Sequence, residues 1–166
     1  MFLAEDIAEQ PGTFALVPQV VDAVKVPVIA CGGIAAAFAL GASGVQIGSA
    51  YLRCPESRVS APVRAVLAGA RDDSTVITNV MTGRPARGLV NRVMREIGPI
   101  SKDAPAFPHA ATALSPLKAA AEKQGKVDFT NLWAGQATGM SREMPAAELT
   151  RALAAAALAR MRQLAG

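Results

Sequence analysis

A chain of 166 residues, 51% hydrophobic and 18% charged, is long enough to bury one ordinary core and too apolar to read as disordered. No run reaches the roughly 18 uninterrupted apolar residues of a membrane span. Glu5 and Asp6 also stand where a secretory leader would carry basic residues, so a cytoplasmic protein with no membrane partner is expected. The net charge of +4 raises nucleic acid as a partner, and Arg84, Arg87, Arg92 and Arg95 form a local basic cluster, but aromatic residues are only 4% and no stacking or groove-reading motif accompanies them. No nucleic-acid function is expected, and the arginines read as a solvated or internally paired face.

In chain order, the segment TFALVPQVVDAVKVPVIACGGI predicts a helix and then a strand. Leu16, Val20, Val21 and Val24 recur at helical spacing, and Val26 followed by Pro27 closes the helix. Val28 to Cys31 runs apolar without alternation, the pattern of a parallel strand buried on both faces. Ala35 to Leu40 then favours a second helix, with Gly41 placed to end it in a left-handed conformation, and Val45, Gln46 and Ile47 form a second short buried strand. Both strands end in glycine, at Gly32 and Gly33 and at Gly48.

From Cys54 onward helical patterns are expected to dominate. SAPVRAVLAGA and the stretch around LVNRVMREI space their apolar residues three and four apart. The last helix has Pro145 near its start, Leu149, Leu153 and Met161 on one stripe, and Arg160 and Arg162 near its negative dipole end. Pro99, Pro105, Pro108 and Pro116 mark irregular surface connections, and His109, the only histidine, lies among them as an ordinary surface side chain. Cys31 and Cys54 each sit at the end of an apolar run and read as buried thiols, without a disulfide and without the histidine or CxxC company of a reactive one.

Two neighbouring parallel strands ending in glycine, each followed by a helix, describe a sector of an α/β protein at the face where ligands bind. Lacking a Cβ, such glycines let the backbone approach a phosphate with its N–H groups directed at the anion, and Ser49 would add a hydroxyl. Tight turns alone would equally account for Gly32, Gly33 and Gly48.

The string VPVIACGGI, followed after a short helix by ALGASGVQIGSAYLRCPES, resembles the last two strands of the FMN-binding (β/α) barrel of nitronate monooxygenases. TGRPARGLVNRVMRE and LWAGQATGMSREMPAAEL are similar to the C-terminal helical part of the same family, so the resemblance spans nearly the whole chain. It implies an α/β fold in which residues 1–56 are the last βα units of an incomplete TIM-type (β/α)8 barrel and residues 57–166 are a mostly helical region packed on it. The implied cofactor is FMN, its phosphate held by backbone groups of Gly32 and Gly33 from one strand end and by Gln46, Ile47, Gly48 and Ser49 from the next. The implied reaction is oxidation of an alkyl nitronate or nitroalkane by O2 to a carbonyl compound and nitrite.

Two departures qualify that expectation. A GGHRG-like stretch, whose histidine does acid-base work in the family, lies immediately before the part that MFLAEDIAEQPGTFALVP matches and is absent here, so Met1 reads as an internal position and no catalytic residue is assigned. A stretch like ADGRG, usual between Gly33 and Phe38, is also missing, which leaves a crossover near the limit of roughly a dozen residues for parallel strands. A closed barrel needs eight strands and typically about 250 residues. The chain therefore calls for a missing barrel half or a second chain, and alone it is expected to bind FMN weakly or not at all and to release no nitrite. The alternatives are a flavin-dependent enoyl-acyl-carrier-protein reductase, which shares the GGI and QxG elements but uses a nicotinamide donor, and a non-catalytic interaction module.

Overall fold

The computed structural model describes residues 6–166, so Met1 and Glu5, on which two of the sequence arguments rest, lie outside it. Helix α1 (Thr13–Ala23) leads into strand β1 (Ile29–Cys31), helix α2 (Ile34–Ala39) and strand β2 (Gly44–Gln46). The strands pair in parallel, Ala30 opposite Val45, which is the helix, strand, helix, strand order expected. Val17, Ala30, Ala37 and Ala42 form the core of this unit, with Val21, Leu40 and Val45 packed around them. Small side chains at the centre let a six-residue helix lie close on two three-residue strands.

Two expectations are corrected here. The stripe of α1 that meets the core runs through Val17 and Val21, four apart, while Leu16 and Val24 are 43% and 40% exposed. Strand β1 is not buried on both faces: Ala30 is buried, whereas Ile29 and Cys31, which alternation points the other way, are exposed. The described residues cover only the side that Ala30 faces, so an apolar run reported composition correctly and burial only by half.

The short crossover closes nonetheless. Gly32 and Gly33 have φ of 75° and 55°, so the chain turns from β1 directly into α2, and Gly41 at φ 92° ends that helix as expected.

After Cys54 helices dominate, as expected, but one hairpin stands among them that the helical patterns did not announce. Helix α3 (Ala61–Ala68) is followed by an antiparallel hairpin of β3 (Thr75–Thr78) and β4 (Ala86–Leu89), with Val76 opposite Gly88. A third extended segment joins it: Leu89 N–H donates to Leu132 O at 2.8 Å, Ala134 N–H to Arg87 O at 3.3 Å, and Gly88 bridges Trp133. Leu67, Leu89, Leu132 and Ala134 are buried together beneath α3 and the hairpin, and Val80, Met81, Val93 and Met94 make a further cluster.

Helix α4 (Arg92–Ile97) starts at Asn91, whose buried carboxamide accepts from Met94 N–H at 3.1 Å and donates to Thr130 O at 3.2 Å. Helix α5 (His109–Glu122) contains Pro116 and begins at His109, so both residues lie in a helix rather than in the expected connection; His109 is exposed, as expected. The arginines are largely engaged. Arg87 donates to Thr75 O at 3.0 Å, Arg92 pairs with Glu96 at 2.7 Å and lies over the Phe129 ring, and Arg84 is half-buried and also engaged.

Helix α6 (Ala146–Leu164) returns to the first unit and packs against α2, turning the expected stripe of Leu149, Leu153 and Met161 inward with Ala157 completing it. Its first N–H, of Ala146, donates to both carboxylate oxygens of Glu56, at 3.0 and 3.1 Å, across ninety residues of sequence. Glu56 therefore satisfies an orphan donor and sits at the positive end of the helix dipole. Glu56→Ala is expected to lower stability by about 1 kcal/mol, with little change for Glu56→Gln beyond the charge contribution; a shift in the urea midpoint checks this. Among the described residues no helix is long and apolar enough to cross a membrane.

Candidate functional site

Because β1 and β2 are parallel neighbours, their C-terminal ends open on one side of the unit, and Gly32 N–H ties them by donating to Gln46 O at 3.1 Å. Gly33 caps α2, whose first internal bond is Ala37 N–H to Gly33 O at 2.7 Å, so the N–H groups of Ile34, Ala35 and Ala36 have no carbonyl partner within the helix. On the second strand, Gln46 and Gly48 are exposed, Ile47 is half-buried, and Ser49 opens a 3-10 turn, Ser49–Arg53. The structure thus gathers Gly32, Gly33, Gln46, Ile47, Gly48 and Ser49 at two adjacent strand ends.

The space there is open. Among the described residues a Cβ built on Gly32 or Gly48 would meet nothing within 4 Å, so neither glycine is required by crowding among them. Beside them a groove of about 610 Å³ runs between the β2 end and α6, lined by Ile34, Phe38, Gln46, Ile47, Tyr51 and Leu153 among others. Tyr51 spans it, its hydroxyl 2.8 Å from Thr150 Oγ1. The turn after Ser49 is held by two arginines: Arg64 donates to the carbonyls of Arg53 at 2.8 Å and Cys54 at 3.0 Å, and Arg53 donates to Ser141 O at 2.7 Å.

One residue at these strand ends carries no signal in local spacing. Gly135, within LWAGQ, donates its N–H to Ser49 Oγ at 3.3 Å. A second groove, about 540 Å³, lies elsewhere, between Asp6 and Ile7 on one side and Asn79, Gly83, Arg84 and Phe107 on the other. His109 lines neither groove. Among the described residues no three metal-binding side chains converge.

The two thiols differ sharply. Cys31 is exposed beside Gly32, correcting the expectation that it is buried, whereas Cys54 is 2% exposed. Burial pushes the Cys54 thiol up from its ordinary value, and the charge of Glu56 adds to this while Arg64 opposes it. Cys54 therefore stays protonated and shielded at neutral pH. A chromogenic disulfide reagent is expected to label Cys31 in the folded protein and Cys54 only after denaturation; two equally fast thiols would contradict this.

Comparison with known proteins follows the same lines. The nitronate monooxygenase family model matches residues 4–156. A nitronate monooxygenase of Pseudomonas aeruginosa is 43% identical over 149 residues, which cover 86% of this chain and 42% of that protein. A probable nitronate monooxygenase of Staphylococcus saprophyticus is 36% identical over 141 residues, covering 81% of this chain and 40% of its own length. Among solved structures, nitroalkane oxidase from Streptomyces ansochromogenes superposes with a TM-score of 0.82 at 42% identity, over 93% of this chain and 46% of that one. FabK from Thermotoga maritima gives a TM-score of 0.78 at 30% identity, over 95% and 52%. The chain spans less than half the length of the curated relatives it matches. Over nearly all of its own length, by sequence and by fold, the chain belongs to the nitronate monooxygenase family.

Proposed function

We propose that this chain supplies the phosphate-binding end of an FMN site in a cytoplasmic enzyme that oxidises alkyl nitronates or nitroalkanes with O2 to a carbonyl compound and nitrite. The observation that carries the reading is the pair of linked strand ends, where Gly32 and Gly48 leave open the space a Cβ would take and backbone N–H groups start a helix. A phosphate fits that chemistry: it needs close backbone approach and donors, not a cavity of apolar walls. Bound FMN would supply the redox chemistry, while Gly32, Gly33, Gln46, Ile47, Gly48 and Ser49 hold and orient its phosphate. In this reading β1 and β2 are adjacent strands of a (β/α)8 barrel, and the exposed side of β1 faces the rest of it.

Two strand ends alone make a loose cradle, so weak binding is expected from the 166-residue chain, measurable by NMR titration. FMN is expected to bind several-fold more tightly than riboflavin, which has no phosphate. Equal affinity for the two flavins would sink the proposal. His109→Ala is expected to leave FMN affinity and any nitrite release unchanged, since the side chain is exposed and lines neither groove. The likeness to FabK keeps the nicotinamide-dependent enoyl thioester reductase as a second reading. NAD(P)H consumption with an enoyl thioester, without nitrite from a nitronate, would favour it.

A further inference from the structure

The Ser49 hydroxyl is reached from a distant part of the chain, and the group that reaches it is held on both sides. Upstream of Gly135, the segment from Leu132 to Ala134 is bonded to β4 through Leu132 O and Ala134 N–H. Downstream, Thr138 donates to Gly135 O twice, from its N–H at 3.1 Å and from Oγ1 at 2.6 Å, and Thr138 is only 1% exposed. The Gly135 N–H is therefore a fixed donor facing Ser49 Oγ. A hydroxyl that accepts one bond keeps its own proton to donate, and a fixed donor on one lone pair limits where that proton points.

We propose that Gly135 is a positioning residue for the flavin phosphate: its N–H fixes the Ser49 hydroxyl so that the Ser49 proton is presented to the anion at the β2 strand end. The proposal rests on the FMN reading above. It makes the docking of residues 132–141 onto the hairpin part of the cofactor site, although that segment contributes no side chain to the phosphate.

The backbone at Gly135 permits a clean test. Its φ of −81° suits proline and a Cβ there meets none of the described residues within 4 Å, so Gly135→Pro removes the N–H without backbone strain; the ring Cδ takes the place of that hydrogen and displaces the Ser49 hydroxyl, so the positioning is withdrawn in the same step. Gly135→Ala keeps the N–H and is the control. FMN and riboflavin dissociation constants are measured by NMR titration for the wild type, Gly135→Pro, Gly135→Ala, Ser49→Ala and the Gly135→Pro/Ser49→Ala double variant. Gly135→Pro is expected to weaken FMN binding about fivefold, the scale of one hydrogen bond. It should leave riboflavin binding unchanged, and Gly135→Ala should match the wild type. In the Ser49→Ala background the proline should have no further effect, whereas a loss acting through the fold would persist there; the wild-type Gly135 amide resonance, shifting with FMN and not with riboflavin, shows that the bond itself is engaged.

A wild type that prefers FMN to riboflavin, with Gly135→Pro unchanged or with a loss that persists without Ser49, overturns this proposal alone. A wild type with no preference overturns the FMN reading and this inference with it. If Gly135→Pro fails to fold, the Gly135 amide resonance decides: it is expected to shift with FMN but not riboflavin, and to lose that response in Ser49→Ala. A resonance indifferent to FMN in the wild type overturns the proposal.

Discussion

Gly83→Ala is expected to destabilise the protein by about 3 to 4 kcal/mol, the largest single loss anticipated for a one-carbon change in this chain. Two penalties act together. Gly83 has φ 88°, a left-handed conformation that costs a side-chain-bearing residue about 1–2 kcal/mol. Its Cβ would also overlap backbone atoms, Phe107 N and Pro105 O, which cannot swing aside as a flexible side chain would. Forcing that overlap costs about 1–3 kcal/mol more. The connection has little room to relax, because Gly83 N–H is bonded to Asn79 O at 2.7 Å and Asn79 is itself bonded to Ser101 through both ends of its carboxamide. Against a total stability of about 5–15 kcal/mol, the urea midpoint should fall by a large fraction. A midpoint within error of the wild type would show that the close approach is not maintained in solution.

Gly48→Val is expected to have the opposite profile, with a thermal midpoint close to the wild type but FMN affinity at least about tenfold lower, or roughly 1.4 kcal/mol. Gly48 has φ −105°, which any residue adopts, and a Cβ there meets none of the described residues within 4 Å. Stability should therefore move by less than about 0.5 kcal/mol. On the proposed reading, the empty space is where backbone approaches phosphate, and a branched side chain fills it. Full FMN affinity in a folded Gly48→Val protein would remove the second strand end from the site. A fold lost with the substitution would instead make Gly48 a structural glycine like Gly83. The pair separates two reasons for a glycine that sequence cannot tell apart: one position is crowded by its own chain, the other stands open among the described residues.

The parallel unit was legible because its signals are local. Apolar runs bounded by glycine and proline locate β1, α2 and β2 within a residue, and the stripe of α6 follows from its spacing. The hairpin was harder for a physical reason. β3 is a β-branched run, Thr75, Val76, Ile77 and Thr78, that does favour a strand, but β4 reads Ala, Arg, Gly, Leu, a sequence with little intrinsic strand preference. Leu89 and Val90 also fall into helical spacing with Val93 and Met94, so the apolar period pointed to one longer helix; Asn91 divides the two by capping α4. The exposure of Cys31 leaves no local trace, because the burial of a strand's second face depends on what else covers it. At the candidate site, the glycines announce themselves by position, whereas the Gly135 contact to Ser49 joins residues 86 apart and leaves no periodic trace.

The return of α6 to α2 also sets an order of events during synthesis. The apolar side of α2, with Phe38 and its neighbours, leaves the ribosome long before residues 146–164 exist to lie against it. At the usual pace of about 5–20 residues per second, that surface waits several seconds without its partner. Strands β3 and β4, by contrast, are separated by only seven residues and can pair as soon as both have emerged. Nascent chains stalled before α6 should accordingly engage a hydrophobic-binding chaperone through the α2 region, and release should coincide with the emergence of the helix that Glu56 caps.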